Sequence, residues 1–137
     1  FDRAGQKALT ELFKEACGAH GADVIYDPVG GDYAEAALRS IAWEGRFLVV
    51  GFPAGIPKLP LNLALLKGCD VLGVFWGDFV RRSPQHHQQN LKEMMELYAH
   101  GKIRPYVSES FPLDKARDAI DWLSERKAMG KVVVTMG

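Results

Sequence analysis

The sequence lacks a net charge of either sign. Lysine and arginine number 17, aspartate and glutamate 17, so nothing draws the chain toward a phosphate backbone or an anionic membrane, and nucleic acid and membrane are excluded as expected partners. Cysteine is scarce: Cys17 and Cys69 stand far apart with no CxxC at either, which excludes a disulfide framework and a zinc ribbon and points to a reducing, cytoplasmic setting. No apolar stretch approaches the roughly 20 residues that span a bilayer, and no charged-then-apolar leader opens the chain. Neither GxGxxG nor GxxxxGK[ST] occurs, so the phosphate-cradling turn of a nucleotide site is absent from these residues. What is present is 47% apolar and 25% charged over 137 residues, enough to build a folded core but too short for two full domains.

Leu9, Leu12, Phe13 and Ala16 recur at helical spacing, and Cys17-Gly18 should end that helix. Three apolar runs follow, each leading into a glycine: Val24 to Val29, Arg46 to Phe52 (RFLVVGF) and Asp70 to Trp76. Between the first two lies a helix that Asp32 should cap, with Tyr33, Ala37, Leu38 and Ile41 on one face and Trp43-Glu44-Gly45 at its end. Between the second and third lie a proline-rich loop, Pro53 to Pro60, and one helical turn, Asn62 to Lys67. Continuously apolar strands joined by helical crossovers predict an α/β fold with a parallel sheet. A long helix from Ser83-Pro84 to His100-Gly101 should carry Leu91, Met94, Met95 and Tyr98 on one face. Residues 103–113 read as extended, Asp114 should cap a last helix with Ala116, Ala119, Ile120 and Leu123 inward, and KVVVTM reads as a final strand.

The three strand ends, DPVGGD, GFPAG and FWGD, are the places for chemistry. In an open parallel sheet the ligand crevice lies beyond the carboxyl ends of the strands, where glycine lets backbone approach a ligand closely. Asp27, placed before Pro28, is expected to order a turn rather than act as a base. His86 and His87 are adjacent on a helix and face different ways, so they make no metal pair; His20 and His100 are isolated, and Arg81-Arg82 reads as a surface turn. No Ser, Cys or Thr stands in a nucleophile's context, so no catalytic residue and no metal ligand is assigned.

The run GADVIYDPVGGDYAEAALRSIAWEGRFLVVGF, with PLNLALLKG, GVFWG and GKVVVT, resembles the C-terminal part of zinc-independent quinone oxidoreductases of the medium-chain dehydrogenase/reductase superfamily. The resemblance covers the chain from about Gly21 onward; Phe1 to His20 fits only as a generic helix. It implies the C-terminal half of a Rossmann-type doubly wound sheet, followed by an extended segment, helix and strand that return to a substrate domain. On that basis residues 1–101 would be a partial dinucleotide-binding domain and 102–137 the returning segment. The substrate domain and the glycine-rich strand-turn-helix would precede Phe1, in keeping with a chain that opens without methionine.

The resemblance also implies NADPH as the cofactor of the full-length protein, and a quinone or activated enone as substrate. Val29 and Gly30 would lie near its adenosine and ribose, Gly51, Phe52 and Pro53 along it toward the nicotinamide, and the backbone of Val74, Phe75 and Trp76 at the carboxamide. Pro53 departs from the family's small residue there and has no N–H to offer. The strand Val71 to Phe75 would pair across the axis of a homodimer, the first strand would be left at a bare edge, and the isolated chain would be inactive. An enoyl-thioester or alkenal reductase of the same superfamily, or a non-catalytic dimerisation module, are the alternatives.

Overall fold

The computed structural model describes residues 3–137; Phe1 and Asp2, where the reading of the chain's start begins, lie outside the described residues. The chain groups into two compact units, one up to Phe79 and one from Val80 to Gly137.

In the first unit, helix α1 (Arg3–Cys17) packs against α2 (Asp32–Arg39), and three strands, β1 (Ala22–Asp27), β2 (Ile41–Val49) and β3 (Asp70–Gly73), form one sheet in that order. All neighbours are parallel, with Ile25 beside Phe47 and Phe47 beside Val71, as the continuously apolar runs predict. Helix α3 (Asn62–Lys67) lies on the second crossover, at the residues expected for it. The core gathers Ala34 and Leu38 from α2, Ile41 and Phe47 from β2, Leu63 from α3, and Cys69. Residues of the alternate register, Val24, Tyr26 and Leu72, remain exposed, and β1 is an edge strand.

Several expectations are corrected. On α1, Leu12 and Ala16 are exposed, while Thr10 is buried and Gln6, Leu9, Phe13 and Cys17 are half-buried, so the packed face is rotated from the one that apolarity marks. A threonine is tolerated there because its hydroxyl donates to the Gln6 carbonyl at 2.9 Å. Asp32 is the first helical residue of α2 rather than its cap; the cap position is Gly31, with no side-chain cap bond. The helix stops at Arg39, where the Ser40 N–H and hydroxyl both turn back to the Ala37 carbonyl at 2.9 and 2.7 Å.

Ile41 therefore belongs to β2. Trp43-Glu44-Gly45 does break regular structure, but as an excursion inside the strand: Ala22 pairs with Ile41 and Val24 already pairs with Arg46, with Glu44 at a left-handed φ of 59°. The first strand ends at Asp27 because Pro28 has no N–H for the ladder. The third ends at Gly73, and Trp76 opens a helix, α4 (Trp76–Arg82), whose first bond runs from the Phe79 N–H to the Phe75 carbonyl.

In the second unit, α5 (Pro84–Ala99) starts with proline at its first position and ends at His100-Gly101, with Gly101 at φ 68°. None of its residues is buried, and Leu91, Met94, Met95 and Tyr98 are all exposed. Strands β4 (Val107–Pro112) and β5 (Lys131–Thr135) pair in parallel, connected through a single 3-10 turn, Leu113–Lys115, and α6 (Ala116–Ser124). Asp114 lies inside that turn, and Lys115 takes the cap position of α6 with no side-chain cap bond, so the expected aspartate cap does not form. Ala119 is buried as expected, but Ile120 and Leu123 are exposed. The half-buried aromatic on this helix is Trp122, 6.3 Å from the Phe111 ring and beneath the Lys127 ammonium at 5.1 Å.

Candidate functional site at the strand ends

Because β1, β2 and β3 run parallel, the turns that follow them leave the sheet at the same end. The first two are interlocked. The Gly31 N–H donates to the Gly55 carbonyl at 2.7 Å, and the Ala54 N–H donates to the Val29 carbonyl at 3.0 Å. A β-carbon on Gly30 would stand 2.7 Å from the Gly55 oxygen and 3.1 Å from the Phe52 ring; one on Gly31 would stand 2.6 Å from the Ala54 oxygen. Both glycines also hold positive φ, 69° and 58°. Their glycine identity is thus required by the approach of one turn to the other, besides any approach to a ligand.

Asp27 governs the first turn. It is 8% exposed, and a single carboxylate oxygen, Oδ1, accepts from the Val29 N–H and the Gly30 N–H, each at 2.9 Å. Its carbonyl accepts from the Val50 N–H at 3.0 Å and from the Gly51 N–H at 3.4 Å. The N–H groups of Val29, Gly30 and Gly31 are therefore all engaged within the protein, and this turn is not an anion cradle.

The third strand joins the same end through the Val74 N–H, which donates to the Val49 carbonyl at 2.8 Å and extends the ladder one residue beyond β3. Past that point the Val74 carbonyl and the Phe75 N–H make no backbone hydrogen bond among the described residues, while the Phe75 carbonyl is taken by α4. The Phe75 and Trp76 rings are exposed, at 78% and 63%. Gly51 is half-buried; Val29, Phe52 and Pro53 are exposed. Between β1 and residues of α1 and α2 lies an apolar hollow of about 560 Å³ lined by Phe13, Val24, Tyr26, Tyr33 and Ala37, among others. Among the described residues no three His, Cys, Asp or Glu side chains come together as a metal group, and no helix is long and apolar enough to cross a membrane.

The sequence reading singled out Val29, Gly30, Gly51, Phe52, Pro53 and Val74 to Trp76. It did not foresee that Gly31, Ala54 and Gly55 complete the junction between the turns. The spacing D-P-x-G-G signals only that the aspartate can reach the N–H groups two and three residues on; the junction itself joins residues more than twenty apart.

The sequence profile of the zinc-binding dehydrogenases matches residues 2–134. The chain belongs to that family. The match includes the N-terminal helix, which the resemblance had left aside, and the expected kinship with the quinone oxidoreductases of the medium-chain superfamily is borne out. Over 128 residues the chain is 41% identical to the quinone oxidoreductase-like protein 2 homolog of Nematostella vectensis, covering 92% of this chain and 35% of that protein. Among solved structures, a probable oxidoreductase of Mycobacterium abscessus is 29% identical with a TM-score of 0.73, covering 99% of this chain and 38% of that one. A mycobacterial protein solved in complex with NADPH reaches a TM-score of 0.76 at 22% identity, over 96% of this chain and 40% of the other, a likeness of fold. The chain spans between 35% and 38% of the length of the quinone oxidoreductase-like relatives it matches.

Proposed function

We propose that this zinc-binding dehydrogenase family chain is the C-terminal part of a zinc-independent, NADPH-dependent oxidoreductase that reduces a quinone or an activated enone. Residues 1–101 would form part of its dinucleotide-binding domain, and 102–137 would return to the substrate domain. The observation that carries the reading is the strand-end geometry: two turns locked together at the sheet's carboxyl end, beside a carbonyl and an N–H on successive residues that make no backbone hydrogen bond among the described residues. A carboxamide has one N–H₂ donor and one carbonyl acceptor, and the Val74 carbonyl and Phe75 N–H match that pair in kind. The cofactor, when bound, supplies the hydride; the chain orients the ring and excludes water from it.

In this reading Val29 and Gly30 meet the adenosine and ribose, Gly51 and Phe52 the middle of the cofactor, and Val74, Phe75 and Trp76 its nicotinamide. Pro53 contributes shape and no donor. Edge strand β3, continued by Val74 and Phe75, pairs with its copy in a homodimer in the cytoplasm, and the chain alone does not turn over substrate. An enoyl reductase is the second reading, because the fold is shared with the enoyl reductase JamJ at a TM-score of 0.72.

The test is equilibrium titration of NADPH into the chain carrying Trp43→Phe and Trp122→Phe, which leaves Trp76 as the reporter. Saturable quenching that Phe75→Pro weakens at least tenfold is expected, since proline removes the N–H. Quenching indifferent to Phe75→Pro, or none, contradicts the reading.

A further inference from the structure

We propose that Asp27 is the positioning residue of this site, holding both interlocked turns in one shape and closing the first of them to anions. The inference deepens the reading above and rests on it for the identity of the ligand, but its structural half stands on the hydrogen bonds alone.

A buried carboxylate must satisfy its oxygens, and here Oδ1 does so with two successive turn amides at 2.9 Å, Val29 and Gly30. The same residue's carbonyl receives the first amides after β2, Val50 and Gly51. One residue thus holds the start of both turns, and the turns then hold each other through Gly31 to Gly55 and Ala54 to Val29. Successive N–H groups in a tight turn can gather toward an anion. With a carboxylate already occupying two of those donors and Gly30 buried against the second turn, the exposed part of the tip offers a ligand the Val29 side chain rather than N–H groups. That surface suits the uncharged base and ribose carbons of a dinucleotide and turns its diphosphate, and the 2′-phosphate of NADPH, away from the tip. Asp27 touches no reacting atom in this arrangement; it acts through the two turns.

The experiment uses the full chain with Asp27→Ala and Asp27→Asn, read by amide hydrogen exchange at single residues and by NADPH titration. Asparagine keeps an oxygen where Oδ1 stands; alanine keeps none. In Asp27→Ala, exchange at Val29 and Gly30, and across the junction at Gly31 and Ala54, should speed up at least tenfold beyond any change at Phe47, which reports global unfolding. NADPH affinity should fall at least tenfold in Asp27→Ala and recover to within about threefold of the unaltered chain in Asp27→Asn. Equal changes at Phe47 and at the turns would reduce Asp27 to a general stabiliser and overturn the proposal, as would unchanged exchange at Gly31 and Ala54. If the unaltered chain binds no NADPH, the functional reading fails while the exchange data still decide the role of Asp27.

Discussion

The two compact units of this chain differ in what they bury. The unit up to Phe79 buries Leu38, Ile41 and Phe47 almost completely, together with Ala34, Ala36, Ala42, Leu63 and Cys69. In the unit from Val80, Ala119 is the one apolar side chain so buried among the described residues, while Leu91, Met95, Tyr98, Ile120, Leu123 and Met129 stand exposed. Burial of apolar area is the main favourable term in folding, so the first unit has a core of its own and the second resembles a surface awaiting cover. The candidate site lies wholly on the first unit, at the end of its sheet, where the turns are held by the Asp27 carboxylate and by backbone hydrogen bonds to each other.

The comparison is broken most directly by Phe47→Ala. That side chain is fully buried at the centre of the first core, and its removal should cost about 3–5 kcal/mol, read as a lowered urea midpoint. A smaller loss would mean that the core relaxes into the gap and is less self-sufficient than its burial implies. Gly31→Ala should cost about 1–3 kcal/mol, from a residue at φ 58° whose β-carbon would stand 2.6 Å from the Ala54 oxygen. Its signature is local: amides at Gly55 and Ala54 should lose protection before those of β2 do. Ile120→Ala should have the smallest effect, under about 1 kcal/mol, because a side chain 66% exposed leaves no cavity. A cost comparable to that of Phe47→Ala would show that the second unit hides a core of its own.

The same contrast explains what could be read from the sequence. Val24, Ile25, Phe47, Leu48, Val71 and Leu72 sit in continuous apolar runs, and such runs specify parallel strands whatever their surroundings, so sheet type and order of elements were legible. Boundaries were not, because they depend on hydrogen bonds between distant residues: Ile41 leaves the helical pattern to pair with Ala22, and Trp76 enters a helix once Val74 has spent its N–H on Val49. Burial on α6 was misread because its apolar stripe, Ile120 and Leu123, stays exposed among the described residues, whereas Ala119 faces its neighbours. In the candidate site the glycines were legible as strand-end turns. That Asp27 orders its turn was legible too, being a contact two and three residues on; that the turns lock to each other required the fold, since Gly30 and Gly55 meet only after two strands have paired in register.

If the three strand ends form one nicotinamide-cofactor groove, as proposed, NADPH-induced changes in backbone amide resonances will map it. Saturable shifts confined to Val29 to Gly31, Gly51, Phe52, Ala54 and Val74 to Trp76 are expected, with Tyr106 and Met129 to Val133 in the second unit unmoved. Shifts centred on that second unit, or none at cofactor concentrations in the millimolar range that covers weak binding, would contradict it.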